Sequence, residues 1–266
     1  MMWTRRGVLA VGIVTSITST RRSACAQTQL ASPAATLCPT GKLRAALIVS
    51  NPVLVTRRSD GTLGGVSVTV ARALAAHLGV PIELKPYDNP ARYNESLETD
   101  DWDVGLAARD PSRADYVAFS ATFMEVDNGY VARAGAAPTS ADEVDRPGVK
   151  IAVAQGSAPH TVLRRLIKQA EIVPVPGGFE AARDTLAKGN ADVYGENLHL
   201  ARRIADAVPG AHVLPGRFNV VQMAIGVRKR AAAALPAVDL FVNKIRAGGT
   251  VQKAITEAGL SGVRVP

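Results

Sequence analysis

Cysteine is nearly absent from these 266 residues: Cys25 and Cys38 are the only two. Cys25 lies in an N-terminal segment that reads as removable, and the single remaining thiol can form no internal disulfide. With no histidine near it in sequence, Cys38 receives no catalytic role. The four histidines, His77, His160, His199 and His212, stand far apart without metal-ligand spacing, so neither a metal nor a cofactor is expected. "GTLGG" (61–65) lacks the Lys-Ser/Thr ending of a phosphate loop. A paired nucleophile and base is missing as well. So is a basic run interleaved with aromatics, which excludes the usual nucleic-acid signature.

What is there begins with charge. The formal balance is +8, but Arg5, Arg6, Arg21 and Arg22 supply half of it, and residues 1–26 contain no acid. Beyond them stand 27 basic against 23 acidic residues, the mixture of a solvated surface. "MMWTRRGVLAVGIVTSI" has a basic start and an apolar run too short to span a bilayer. "ACAQ" follows as a small-x-small site cutting after Ala26, so 1–26 reads as an export signal and 27–40 as a flexible leader. "TRRGVL" is similar to a twin-arginine export motif. An uncleaved anchor and a lipid attachment at Cys25 are the alternatives, the latter disfavoured by Arg22 at the lipobox position. Hydrophobic residues make up 47% of the chain, enough for a core without disulfide staples.

The pattern along the chain is strand, helix, strand, helix, strand, and then the same again. "KLRAALIV" (42–49) reads as a strand, "VSVTVARALAAHLG" (66–79) as a helix stopped by Gly79, and "VPIELKPY" (80–87) as a strand. A helix over Ala91–Thr99 and a strand at "WDVGLAA" (102–108) complete the first round. Residues 149–157, 158–170, 171–177, 179–189 and 190–196 repeat it. A long strand (218–229) and helices over Leu235–Ala247 and Val251–Gly259 close the chain. This is an α/β pattern of mostly parallel sheets with flanking helices. Two similar lobes imply a cleft, lined by the loops after the strands: Ser50–Arg58, Ala107–Arg113, Ala154–Pro159 and Gly195–Leu198.

Four segments in order carry a family resemblance: "GTLGGVSVTVARALAAHLGV", "WDVGLAARDPSRADYVAFSATF", "VKIAVAQGSAP" and "LAKGNADVYGEN". Over nearly all of residues 41 to 260 the chain resembles the bacterial extracellular solute-binding proteins, family 3, which feed ABC importers. The resemblance implies a two-lobed periplasmic-binding-protein fold of type II, with two crossover hinge strands near Asn128–Ala132 and Val220–Ala224. Lobe one is then 41–129 with 225–266, and lobe two is 130–224.

In amino-acid-binding members the arginine of the "DPSR" turn, here Arg113, grips the ligand carboxylate. A planar fork of donors suits two carboxylate oxygens, and Asp110 and Pro111 suit the start of the turn. The rival is an ion pair with Asp115. Ser157 either donates to the ligand or caps the following helix, where Gly156 exposes backbone N–H groups. Asn51 lies in the first cleft loop, and Gln155 lies in the same loop as Ser157. The chain also departs from the family. Ala108 stands where a Thr or Ser is usual, and Asn197, preceded by Glu196, stands where an Asp takes the ammonium group. Either Glu196 replaces that Asp, or the ligand lacks an α-amine.

The expectation is a monomeric periplasmic solute-binding protein, not an enzyme, which captures a small carboxylate-bearing solute and delivers it to a membrane permease. The alternatives are a periplasmic dehydratase of small cyclic carboxylates on the same scaffold, with Glu196 as its acid, and a sensor docking on a membrane receptor.

Overall fold

Short apolar runs become strands and amphipathic ones become helices, in an order that follows the sequence pattern closely. A computed structural model describes Met1 and residues 32–266; the expected export signal, Cys25 and leader residues 27–31 lie outside the described residues. Helix α1 (Pro33–Leu37) precedes β1 (Leu43–Ile48), β2 (Thr56–Arg57), β3 (Leu63–Gly64), α2 (Val66–Leu78), β4 (Ile82–Tyr87), α3 (Pro90–Glu95) and β5 (Val104–Ala108). Strand β6 (Val117–Ala132) leads into β7 (Lys150–Ala154), α4 (Ala158–Leu166), β8 (Glu171–Val175), α5 (Phe179–Ala187), β9 (Val193–Asn197) and α6 (Leu198–Ala207). The chain ends with β10 (His212–Val213), β11 (Asn219–Arg228), α7 (Leu235–Ala247), α8 (Thr250–Glu257) and β12 (Val263–Arg264).

The main sheet runs β4-β1-β5-β11-β6-β9-β7-β8, with β10 and β12 also paired to β6. The outer triplets, β4-β1-β5 and β9-β7-β8, are parallel. Between them β11 and β6 are antiparallel to each other and to their neighbours β5 and β9. The 16 residues of β6 pair with β11 up to Asn128, then with β9 from Asn128 to Ala132. Both long strands thus pass between the two triplets at the segments read from sequence as crossings.

Hydrophobic burial divides at the same place. One group of cores draws on residues before Asp127 and after Gln222, including Leu47, Leu74, Leu106, Phe123, Ile225 and Phe241. The other lies between Tyr130 and Phe218 and includes Val153, Leu163, Tyr194 and Ile204. Helix α2 shows how sequence sets this packing. Val66, Val70, Ala71 and Leu74 share its buried face, and Gly79 ends it in the left-handed region at φ 69°, its N–H reaching the Ala75 and Ala76 carbonyls.

Some local expectations shift. Helix α3 stops at Glu95 and continues as a 3-10 turn over Ser96–Glu98. Helix α4 ends at Leu166 because Ile167 is extended. The sequence pattern predicts no helix at α6, which buries Leu200, Ala201 and Ile204. Within the stretch read as flexible leader, α1 folds, and Leu37 and Cys38 enter the core. Burial pushes the Cys38 thiol up to about 11, with nearby Asp103 adding to the shift.

One buried ion cluster pins the edge of β5. Asp103 accepts from the Arg44 backbone N–H at 2.9 Å, from its Nε at 3.1 Å and Nη2 at 2.8 Å, and from Arg230 Nη2 at 3.0 Å. The neighbouring Arg228 caps the loop before it, donating to the carbonyls of Ser96, Leu97 and Thr99 at 2.9, 2.5 and 2.6 Å. Its guanidinium carbon lies 3.7 Å from the centroid of Trp102, a ring with no exposed surface.

Candidate functional site

Strand direction decides where the site can be. The carboxyl end of β5 meets β11 at Ala108↔Met223, and the carboxyl end of β9 meets β6 at Asn197↔Asn128, opposite Asn219 of β11. These ends stand four residues apart along β11, about 14 Å at the rise of a strand. The ends of β1 and β7 lie in step with those of β5 and β9. The carboxyl ends of β1 and β5 therefore face those of β7 and β9 across the β6–β11 pair.

A cavity of about 190 Å³ opens there, lined by Ala108, Arg109, Asp110 and Pro111, by Ala158, Thr161, Val162 and Arg165 of α4, and by Asn219–Gln222. A second cavity, of about 210 Å³, lies between α1, α2 and α7, remote from the strand ends.

Arg113 occupies the last position of a 3-10 turn begun by Asp110 and Pro111. The Asp110 carboxylate accepts from the Ser112 N–H and hydroxyl at 2.9 and 2.8 Å, which sets the turn. Arg113 is only 5% exposed. Its Nε donates to Asn94 Oδ1 at 3.0 Å, its Nη1 donates to the Ala108 carbonyl at 3.0 Å, and its guanidinium carbon lies 5.0 Å from the centroid of Tyr93. It pairs with no acid among the described residues. The rival partner is therefore excluded: Asp115 sits exposed on the turn and makes no ion pair with it. A guanidinium offers five N–H donors, and two here have protein partners.

The other arm differs from the family pattern in an informative way. Asn197 is buried and caps α6: its Oδ1 accepts from Leu200 N–H at 2.9 Å, and its Nδ2 donates to Glu196 Oε1 at 2.8 Å. The carbonyl of its amide is thus committed to holding α6. Glu196 keeps some contact with solvent, but dense packing pushes its carboxyl pKa up, against the lowering effect of the two Asn197 donors. Like Arg113, it has no partner of opposite charge among the described residues.

Ser157 caps α4, accepting from His160 N–H at 3.2 Å, while His160 Nδ1 accepts from Gly156 N–H at 3.0 Å. That leaves fewer free N–H groups at this helix start than the sequence suggests. Gln155 is exposed, and its N–H donates to the Val175 carbonyl at 2.9 Å. Asn51 shapes its own loop, its Oδ1 accepting from Val53 N–H at 3.0 Å. Of the seven ligand contacts expected from sequence (Asn51, Ala108, Arg113, Gln155, Ser157, Glu196 and Asn197), only Ala108 lines the 190 Å³ cavity, beside Asp110 and Pro111 of the same turn. Sequence reasoning missed Tyr93 and Asn94, which hold Arg113, and Arg109 and Arg165, which line that cavity. No local motif marks any of the four.

A family model described as bacterial extracellular solute-binding proteins, family 3, matches residues 43–258. No curated protein matches the chain. Among solved structures, the ancestral amino acid-binding protein AncCDT-1, a precursor of cyclohexadienyl dehydratase, is similar at 22% identity and a TM-score of 0.70, over 85% of this chain and 99% of that one. An amino acid ABC transporter substrate-binding protein from Streptococcus pneumoniae, bound to L-arginine, is similar at 21% identity and 0.69, over 84% and 96%. The solute receptor for L-cysteine of Neisseria gonorrhoeae is similar at 20% identity and 0.70, over 85% and 92%. These likenesses establish the fold as the type II periplasmic-binding-protein architecture.

Proposed function

The chain belongs to the bacterial extracellular solute-binding proteins, family 3, and on that premise we propose that it captures an amino-acid-type solute outside the cytoplasmic membrane and hands it to the permease of an ABC importer. Residues 41–129 with 225–266 form one jaw and 130–224 the other, with β6 and β11 as the hinges between them. Ligand binding draws the jaws together, and the permease distinguishes the closed form from the open one.

The observation that carries this reading is Arg113, a buried guanidinium without a carboxylate partner among the described residues. Burying a charge is unfavourable unless it is paired, and an arginine with donors to spare is suited to a carboxylate arriving from outside. Tyr93 and Asn94 hold the fork in place before the ligand comes. Glu196 takes the ammonium group, because the Asn197 carbonyl is committed to α6. The Ala108 carbonyl orients Arg113, in place of the hydroxyl usual in the family. Asn51, Gln155 and Ser157 complete the polar ring of the two facing jaws. The similar structures bound to L-arginine and acting as a receptor for L-cysteine agree with an amino acid as the ligand class.

A thermal-shift screen of the purified protein tests this against amino acids, the corresponding amines and simple carboxylates. A ligand at about a thousand times its dissociation constant adds about 4 kcal/mol of stability, a shift of several degrees for a chain of this size. Arg113→Gln is expected to abolish the response. A carboxylate that shifts the variant as far as the wild type sinks the assignment.

A second reading has one observation in its favour. The raised carboxyl of Glu196 suits a general acid, and AncCDT-1 is described as a dehydratase precursor. Loss of water from a small cyclic carboxylate during incubation, absent in Glu196→Gln, would identify that activity; a binder leaves its ligand unchanged.

A further inference from the structure

The cavity between the strand ends carries an excess of positive charge. Arg109 lines it from the loop after β5 and Arg165 from the last turn of α4, both exposed residues, so the two proposed jaws contribute one arginine each. Thr161, Asn219 and Gln222 add polar groups between them. Neither arginine forms an ion pair with an acid among the described residues. Asp110 is the one acidic residue in the lining, and its Oδ1 is taken up by the Ser112 N–H and hydroxyl.

Arg109 is also fixed in position. Its backbone N–H donates to the Gln222 carbonyl at 2.8 Å, and its Nη2 donates to the Ser120 carbonyl. Ser120 is free to accept because β6 and β11 slip register beside it, where the Ser120 hydroxyl accepts from Ile225 N–H at 3.0 Å. The bulge therefore anchors one guanidinium nitrogen and leaves four N–H donors of Arg109 without an assigned partner. Two like charges brought into one small cavity from separate jaws repel each other as the jaws approach. An anion seated between them reverses that sign, and so favours closure.

We propose that Arg109 and Arg165 form a second anion subsite, so that the solute carries two carboxylates, one for Arg113 and one for this pair. An acidic amino acid has that chemistry. The inference rests on the proposed function, since it takes Arg113 as the first carboxylate site.

Isothermal titration of the purified protein with glutamate against glutamine, and aspartate against asparagine, isolates the second charge at constant shape. Wild type is expected to prefer the better acid over its amide by about tenfold to a hundredfold, the range for a charge-assisted pair in a cleft. Added salt should erode that preference. Arg165→Gln is expected to lower the acid-to-amide ratio about tenfold, and Arg109→Gln to lower it similarly. Glutarate separates the two sources of such a ligand. Binding comparable to glutamate marks a dicarboxylate receptor and weak binding an acidic amino-acid receptor, and either keeps the subsite. Equal affinity for acid and amide overturns it, as does a preference that survives both substitutions. Neutral amino acids that bind without acid preference and are lost in Arg113→Gln overturn the subsite alone. A protein that binds no member of the panel overturns the proposed function with it.

Discussion

Gly105 and Tyr93 offer the sharpest test of how the buried arginine is held. The Tyr93 ring has no exposed surface, lies 5.7 Å from Trp102 at 18°, and carries the Arg113 guanidinium 5.0 Å above it. Its hydroxyl is buried without a partner among the described residues, and burial pushes its pKa up to about 12. A Cβ added to Gly105 would fall 2.1 Å from that oxygen but 3.0 Å from the ring carbon bearing it. The two side chains thus compete for one volume, and the hydroxyl is the clashing group. Tyr93→Phe removes an unsatisfied buried hydroxyl, whose desolvation costs about 1–3 kcal/mol, so stability should rise by about 1 kcal/mol. Gly105→Ala in the wild type overpacks the site and should cost about 1–3 kcal/mol. With the hydroxyl gone, most of that clash goes too, and the double variant should sit near wild type, a coupling of about 1–2 kcal/mol. At about 2–4 °C per kcal/mol, the four proteins should separate clearly in melts and urea titrations. Gly105→Ala should also weaken the binding of any ligand gripped by Arg113, because the ring beneath the guanidinium shifts. Additive effects of the two substitutions, or a loss of more than about 1 kcal/mol in Tyr93→Phe, would refute the reasoning.

Asp103→Asn should lose about 3–5 kcal/mol in urea unfolding, because Arg44 and Arg230 then converge on a neutral group and the largely buried Arg44 keeps its charge; a loss below about 1 kcal/mol would show the cluster to be dispensable. Because burial raises the Glu196 carboxyl, its stability contribution is full below the ordinary value of 4.5 and is lost as pH rises through the raised one. Glu196→Gln should therefore flatten the decline in stability of the unliganded protein across that window, measured by thermal melts from pH 4 upward, and an unchanged profile would contradict it. An ammonium ligand pairs with the ionised form, so amino-acid affinity should increase over the same window in wild type only. Cys38, buried and with its thiol pushed up to about 11, should resist alkylation at pH 8 until denaturant is added, as measured in a Cys25→Ser background; rapid labelling of the folded protein would show α1 opening.

Residues near in sequence explain most of what could be read in advance. The alternation of short apolar runs with helix-spaced ones gave the two parallel triplets, and Gly79 marked the end of α2. Asp110, Pro111 and Arg113 could be recognised as a turn because its hydrogen bonds close within four residues. Helix α6 is less legible, since its start is capped by Asn197, which is also the last residue of β9 and stands at an expected ligand-contact position. One amide serves strand end and helix start together, and the spacing of residues does not show which role takes its carbonyl.

The sequence alone determined which segments pair with water and which with the core, because periods of two and of 3.6 residues are properties of the local backbone. It also determined that Arg113 would stand at a loop leaving a strand. Only the tertiary structure decided that Arg113 has no acid paired with it among the described residues, that Asn94 and Tyr93 of α3 hold it, and that Arg109 of the loop after β5 and Arg165 of α4 line one cavity. Such facts depend on the register of β5 against β11 and of β6 against β9. Those registers are fixed by the joint packing of cores whose residues, such as Leu37 and Ile255, lie more than two hundred positions apart, and no short window of the chain contains them.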